Sequence, residues 1–158
     1  MRFFVDRKLP PHLARLHRLA LFATLDAREL RLVEGLLHER SYLAGEVVFD
    51  EGEEGQALYI VYAGEVLICR QGQPETGRIA LLEPGSFFGD LALLDNTPRA
   101  AQARAVSAST LGVLFRSDFM KLLETDARTA SKVALQLARH IGRRLRDTVV
   151  GDHKVVPL

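Results

Sequence analysis

Phe88-Gly89-Asp90-Leu91-Ala92-Leu93-Leu94-Asp95-Asn96-Thr97-Pro98-Arg99-Ala100-Ala101 is the stretch on which the reading of this chain turns. A glycine precedes an acid and an apolar run, and an arginine follows the acid by nine residues. Gly89 lets the backbone come close to a ligand. If Asp90-Leu91-Ala92 opens a short helix, its free N–H groups converge on one spot that favours an anion. Pro98 fixes the chain just before Arg99, whose guanidinium can offer two parallel donors to phosphate oxygens. An ionised Asp90 only accepts hydrogen bonds, which suits a sugar hydroxyl rather than a phosphate. The residues alone leave a second reading open, in which Asp90 and Arg99 form an ion pair across a loop.

The surroundings of this stretch predict short strands. Val47-Val48-Phe49, Leu58-Tyr59-Ile60-Val61-Tyr62, Glu65-Val66-Leu67-Ile68-Cys69 and Ile79-Ala80-Leu81-Leu82 are β-rich. Gly45, Gly52, Gly55, Gly64, Gly72, Gly77 and Gly85 punctuate them. Strands this short, with a turn every 8–12 residues, predict an antiparallel sandwich or barrel. Residues 100–105 and 110–115 add two more strands, and a short helical interruption falls near residues 89–94.

Helical patterns flank the strands. Leu13, Leu16, Leu19, Ala20 and Phe22 predict one amphipathic helix over residues 11–22. Asp26 then caps a second helix, with Glu29 three residues on as a capping box. Ser117 reads as the N-cap of a third. Ala130, Ala134, Leu137, Ile141, Leu145 and Thr148 recur at spacings of three and four, which predicts a helix over residues 126–149, about 35 Å long. Gly151 ends it, and residues 152–158 read as a frayed tail. The expected division is a single domain over residues 1–158: helices over 1–40, a β-roll over 41–116 and helices over 117–150, then the tail over 151–158.

Composition narrows the function classes. The chain has 158 residues, 47% of them hydrophobic and 26% charged, which suits one soluble domain. No apolar run approaches the roughly 20 residues of a membrane helix, and the start of the chain is too short and too soon charged for a signal peptide. Cys69 is the one cysteine, so no internal disulfide forms. A cytoplasmic location is expected, with Cys69 a small buried hydrophobe. Residues 41–98 carry ten acidic and two basic side chains, a balance of −8, whereas 127–158 carry seven basic and two acidic, a balance of +5. The basic end reads either as a nucleic-acid footprint or as a solvated helix face. No His, Cys and carboxylate cluster has metal spacing, and Ser107, Ser109 and His140 have no triad context, so neither a metal site nor an enzyme is expected.

Residues 88–101 resemble the phosphate-binding cassette of the cyclic-nucleotide-binding domain. That domain occurs in catabolite activator proteins, protein-kinase-A regulatory subunits and cyclic-nucleotide-gated channels. Phe88-Gly89-Asp90-Leu91-Ala92-Leu93 and Arg99-Ala100-Ala101 match its pattern at every place but one. Gly52-Glu53-Glu54-Gly55, then Leu58-Tyr59-Ile60-Val61 and Gly64, match its upstream glycine pattern. Leu21-Phe22-Ala23-Thr24-Leu25 resembles its lead-in segment, and the resemblance extends over roughly residues 15–150. The fold it implies is α+β: an antiparallel, jelly-roll-like β-roll of about eight strands, flanked by N-terminal helices and a long C-terminal helix.

The resemblance also implies roles. Gly89 and Ala100 fall inside the ligand-binding cassette. Arg99 would bind the cyclic phosphate, with backbone N–H groups of Leu91 and Ala92, and Asp90 stands where the family's acid binds the ribose 2′-hydroxyl. Ile68 and Ile79 are either wall beside the base or core filler. Arg143 and Arg144 fall where the family's lid contacts the base, and a solvated position is equally open for them. His140 is placed near Asp90. The one departure is Asp90, since the family usually has glutamate. The carboxylate retreats by roughly 1.5 Å, with about ten- to a hundred-fold in affinity at stake. Ala100 has no hydroxyl, which favours cyclic AMP over cyclic GMP.

The expected function is a stand-alone cyclic-nucleotide sensor, most simply of cyclic AMP. It relays binding through its C-terminal lid helix to a separate protein partner, as a homodimer seamed on that helix. Only about eight residues follow Val150, too few for the DNA-reading module of many bacterial relatives. An interaction scaffold with a degenerate pocket and a DNA binder using the basic final helix are the competing readings.

Overall fold

The computed structural model describes residues 9–150. Gly151 as helix terminator and the 152–158 tail therefore lie outside the described residues. The chain runs α1 (Pro11–His17), a 3-10 turn (Ala20–Phe22) and α2 (Ala27–Leu36). Eight strands follow: β1 (His38–Tyr42), β2 (Val47–Phe49), β3 (Ala57–Ala63), β4 (Val66–Arg70), β5 (Gln73–Leu82), β6 (Phe87–Phe88), β7 (Gln102–Ala105) and β8 (Ser109–Phe115). A second 3-10 turn, Asp90–Leu93, interrupts them after β6, and α3 (Arg116–Thr125) and α4 (Ala127–Val150) close the fold. The strands form two antiparallel four-stranded sheets, ordered β1-β8-β3-β6 and β2-β7-β4-β5. The architecture is the α+β roll expected from the chain.

Strand β3 explains why both cores hold together. Its side chains alternate in direction: Leu58 and Ile60 join an apolar cluster with the helices, while Ala57, Tyr59 and Val61 join a second cluster between the sheets. Phe87 and Phe88 divide in the same way. A strand with apolar partners on both faces reads as a continuous hydrophobic run, as this one does.

The helices depart from expectation in three places. Residues 11–22 do not form one helix. Helix α1 ends at His17, Leu19 is extended (φ −75°, ψ 133°), and the chain re-enters as the 3-10 turn. The break lets Leu19, Leu21 and Phe22 all reach the core beneath α4, which one straight helical stripe could not do. Ser117 is not a cap. Strand β8 runs straight into α3, Phe115 occupies the cap position without a side-chain bond, and Ser117 lies inside the first turn. The boundary at residue 41 also shifts, because β1 begins at His38.

The capping box is present as expected. Asp26 Oδ1 accepts from Glu29 N–H at 2.9 Å, and Glu29 Oε1 accepts from Asp26 N–H at 3.0 Å. Glu29 does more than cap. It is almost fully buried, accepts from Lys132 Nζ at 2.7 Å and from Thr129 Oγ1 at 3.3 Å, and so bolts α2 to α4. Asp126 adds a second tie, accepting from Thr129 N–H and from Arg28 Nη1. Cys69 is buried but belongs to neither apolar cluster. Its Sγ lies 3.6 Å from Gln102 Oε1, and burial pushes the thiol pKa up. Among the described residues, no helix is long and apolar enough to cross a membrane.

Candidate functional site

The sharpest local conformation in the chain precedes the second 3-10 turn. Gly89 sits in the left-handed region (φ 69°, ψ 23°), where a side chain is unfavourable. A Cβ there would stand 2.6 Å from Arg99 Nη1. Gly55 clears the other side, since a Cβ on it would approach Ala92 Cβ to 3.0 Å and Arg99 Cζ to 3.3 Å. The two glycines therefore make the space that the Arg99 guanidinium fills.

Arg99 enters that space from a rigid strut. Its N–H donates to Glu53 O at 2.7 Å, and Gly52 N–H donates to Arg99 O at 2.8 Å. The guanidinium donates from Nη1 to Gly89 O (3.2 Å) and from Nη2 to Ala57 O (2.7 Å). Its Cζ lies 4.1 Å from the centroid of Phe49 and 5.8 Å from that of Tyr59. Nε is buried and bonds to nothing among the described residues, and no described carboxylate lies within ion-pair distance. Burial lowers the Arg99 pKa from its usual value, although the group stays charged. A largely buried cation whose acceptors among the described residues are all neutral favours an anion beside it.

A pocket of about 70 Å³ opens on this cation. Phe49, Ile68, Gly89, Leu91, Ala92 and Thr97–Ala101 line it. The 3-10 turn supplies less than expected. Ala92 N–H already donates to Gly89 O at 3.2 Å, so of the two N–H groups named from the sequence only that of Leu91 precedes the first bond of the turn. A four-residue turn also carries little dipole. The anion-attracting charge is that of Arg99.

Of the ten residues named from the sequence, Gly89, Leu91, Ala92, Arg99, Ala100 and Ile68 meet at the pocket. Ile68 is both wall and core, being 1% exposed within the inter-sheet cluster. Ile79 packs against that cluster from outside and does not line the pocket. Arg143 is exposed on α4. Asp90 and Arg144 also lie off the pocket, and they pair with each other. Arg144 Nη1 donates to Asp90 Oδ1 and Nη2 to Oδ2, both at 3.3 Å. The ion pair between Asp90 and Arg99 that the residues alone left open is absent from the described structure. His140 stands close enough to feel the charges of this pair, its ring 4.3 Å from Phe87, with Nε2 buried and without a partner among the described residues.

Sequence reasoning missed two parts of the site. Phe49 floors the guanidinium, and nothing in its spacing marks it. Arg116 holds the cassette from behind: Nη1 donates to Gly55 O (2.9 Å), Ala92 O (3.1 Å) and Asp95 O (2.6 Å). One side chain at the head of α3 thus ties both halves of the site to the helices. Among the described residues, no group of His, Cys, Asp and Glu could hold a metal ion.

Comparison with known proteins agrees with this fold. The family model described as the cyclic nucleotide-binding domain matches residues 39–126. The Cyclic AMP receptor protein of Thermus thermophilus is 40% identical over 130 residues, covering 80% of this chain and 57% of that protein. The crystal structure of Thermus thermophilus Catabolite Activator Protein superposes with a TM-score of 0.73 at 37% identity, over 83% of this chain and 60% of that one. The regulatory domain of Toxoplasma gondii PKA, a co-crystal structure with cAMP, superposes with a TM-score of 0.62 at 34% identity, over 73% of this chain and 46% of that one. The chain spans little more than half the length of the Thermus protein it matches. Matched by that model over residues 39–126, the chain belongs to the cyclic nucleotide-binding domain family.

Proposed function

We propose that the chain is a sensor that binds cyclic AMP at the Arg99 pocket and relays binding through α4 to a separate protein partner. The observation that carries this reading is the largely buried Arg99 guanidinium, which opens on a pocket and has no anionic partner among the described residues. A cyclic phosphate brings one negative charge and two free oxygens to that cation, matching the donors Arg99 has left. Gly89, Leu91, Ala92 and Ala100 shape the cradle, and Ile68 backs the wall. Ala100, without a hydroxyl, favours cyclic AMP over cyclic GMP.

What α4 touches supports the relay. Its inner face, with Ala130, Val133 and Leu137, is buried against the helical cluster. Arg144, near its far end, grips the cassette residue Asp90. Ligand binding at the cassette then acts on the residue that holds the helix, and a ligand with higher affinity for one helix position shifts the helix toward it. The opposite face of α4 exposes Leu135, Leu145 and Val149. With Ala138 and Gly142 these lie at alternating spacings of three and four, the seam of a homodimer.

A second reading, a nucleotide-independent scaffold, draws support from one observation: Asp90 faces Arg144 instead of the pocket. Thermal denaturation separates the two. The sensor reading expects cyclic AMP to raise the melting temperature of the wild-type chain and to leave that of Arg99→Glu unchanged. No shift in the wild type at millimolar ligand would leave the scaffold reading standing.

A further inference from the structure

We infer that Asp90 serves the terminal helix and not the ligand, so that this pocket takes a cyclic nucleotide without reading its 2′-hydroxyl. The inference rests on the cyclic-nucleotide reading and names the part of the ligand that the site ignores.

Three observations converge on it. Gly89 and Leu91 both line the pocket, while Asp90 between them does not, and it is 0% exposed. Its two oxygens face two nitrogens of one guanidinium in a fork at 3.3 Å each, with Arg144 itself 18% exposed. The side chain is also aspartate, one methylene shorter than the glutamate common at this position of the family.

Lone-pair capacity does not stop the carboxylate from accepting a further bond, since two oxygens offer about four acceptor sites. Access does. To meet a ribose hydroxyl, Asp90 must turn from α4 into the pocket. That turn strands the Arg144 guanidinium beside His140, whose buried Nε2 offers no carboxylate in exchange. It replaces a forked ion pair by one neutral hydroxyl bond, the weaker of the two. The ligand signal then passes to α4 along the backbone, from Gly89, whose carbonyl accepts from Arg99, to Asp90, whose carboxylate holds Arg144.

Isothermal titration of the full chain with cyclic AMP and with 2′-deoxy cyclic AMP tests this. A charged hydrogen bond to the 2′-hydroxyl is worth about ten- to a hundred-fold in affinity, so the inference expects the two dissociation constants to agree within about threefold. Asp90→Asn, which keeps the shape and removes the charge, is expected to change both affinities by the same factor. A deoxy ligand weaker by about tenfold or more, with the gap closing in Asp90→Asn, would overturn the inference and leave the sensor reading intact. Binding of neither ligand at millimolar concentration would bring down the sensor reading and this inference with it.

Discussion

Replacing Gly89 by alanine puts the construction of the site under direct test. The residue holds φ 69°, and a left-handed conformation costs a residue with a Cβ about 1–2 kcal/mol. The new Cβ would also lie 2.6 Å from Arg99 Nη1 and 3.2 Å from Ala57 O. The guanidinium must shift away from that contact, at the expense of the Nη1 bond to Gly89 O. Losing one bond from a charged donor adds about 1.5–3 kcal/mol. The expected destabilisation is about 3 kcal/mol, a drop of roughly 6–12 °C in melting temperature for a chain of this size. Gly52→Ala is the matched control. Gly52 has φ 88°, and a Cβ there meets nothing within 4 Å, so only the backbone strain applies. Differential scanning calorimetry of the two variants isolates the Arg99 contact as the difference between them. If Gly89→Ala melts no lower than Gly52→Ala, Arg99 is not held as described and the pocket is wrongly built.

Three further outcomes follow from the packing around α4. Glu29→Ala removes a buried carboxylate that caps α2 and pairs with Lys132; breaking such a pair costs about 3–5 kcal/mol, and the 29% exposure of Lys132 puts this one at the lower end, read as a falling urea midpoint. Burial holds His140 below its usual value, against the pull of Asp90 and together with the repulsion of Arg144 and Arg143. The unfolded chain therefore takes up a proton near pH 6.5 that the folded chain resists, and stability falls as pH drops below about 6.5. Asp26 and Asp126, held low mainly by backbone hydrogen bonds, keep their contribution until the pH falls below about 4. The melting temperature should thus decline between about pH 7 and 5, and His140→Gln should flatten that decline; an unchanged slope would place the titration elsewhere. For assembly, Leu135→Glu combined with Leu145→Glu should convert a dimer to a monomer in sedimentation equilibrium, and the monomer should still unfold cooperatively at a melting temperature that no longer depends on protein concentration. A wild-type chain that sediments as a monomer would remove the α4 seam.

Much of the fold was legible because its signals are local. The capping box at Asp26 and Glu29 is written in four residues and forms as read. Strands β3 and β4 carry apolar runs bounded by glycine, and they pair with β8 and β7. Strand β1 was missed because His38-Glu39-Arg40-Ser41-Tyr42 is polar and mostly exposed, and its only strand neighbour is β8. Strand β6 is two residues long, too short for any period. Strand β5 was read only in its second half, since Gln73–Gly77 has no apolar alternation.

The site divides along the same line. Arg99 and Gly89 were legible because one segment holds both the cradle and the cation. Asp90 was not, because its partner Arg144 stands 54 residues away on a helix whose rotation the sequence leaves open. Arg116 was overshadowed by Ser117, whose cap-forming chemistry is real but goes unused where β8 runs directly into α3. Its three carbonyl acceptors come from two separate loops, a juxtaposition made only by folding.

We propose that the Arg99 guanidinium binds a cyclic phosphate. Equilibrium dialysis of labelled cyclic AMP against the wild-type chain and Arg99→Glu tests it most directly. Saturable binding of one ligand per chain, lost in a variant that still unfolds cooperatively, is the predicted result. Equal binding by the two proteins, or none by the wild type at millimolar ligand, would contradict it.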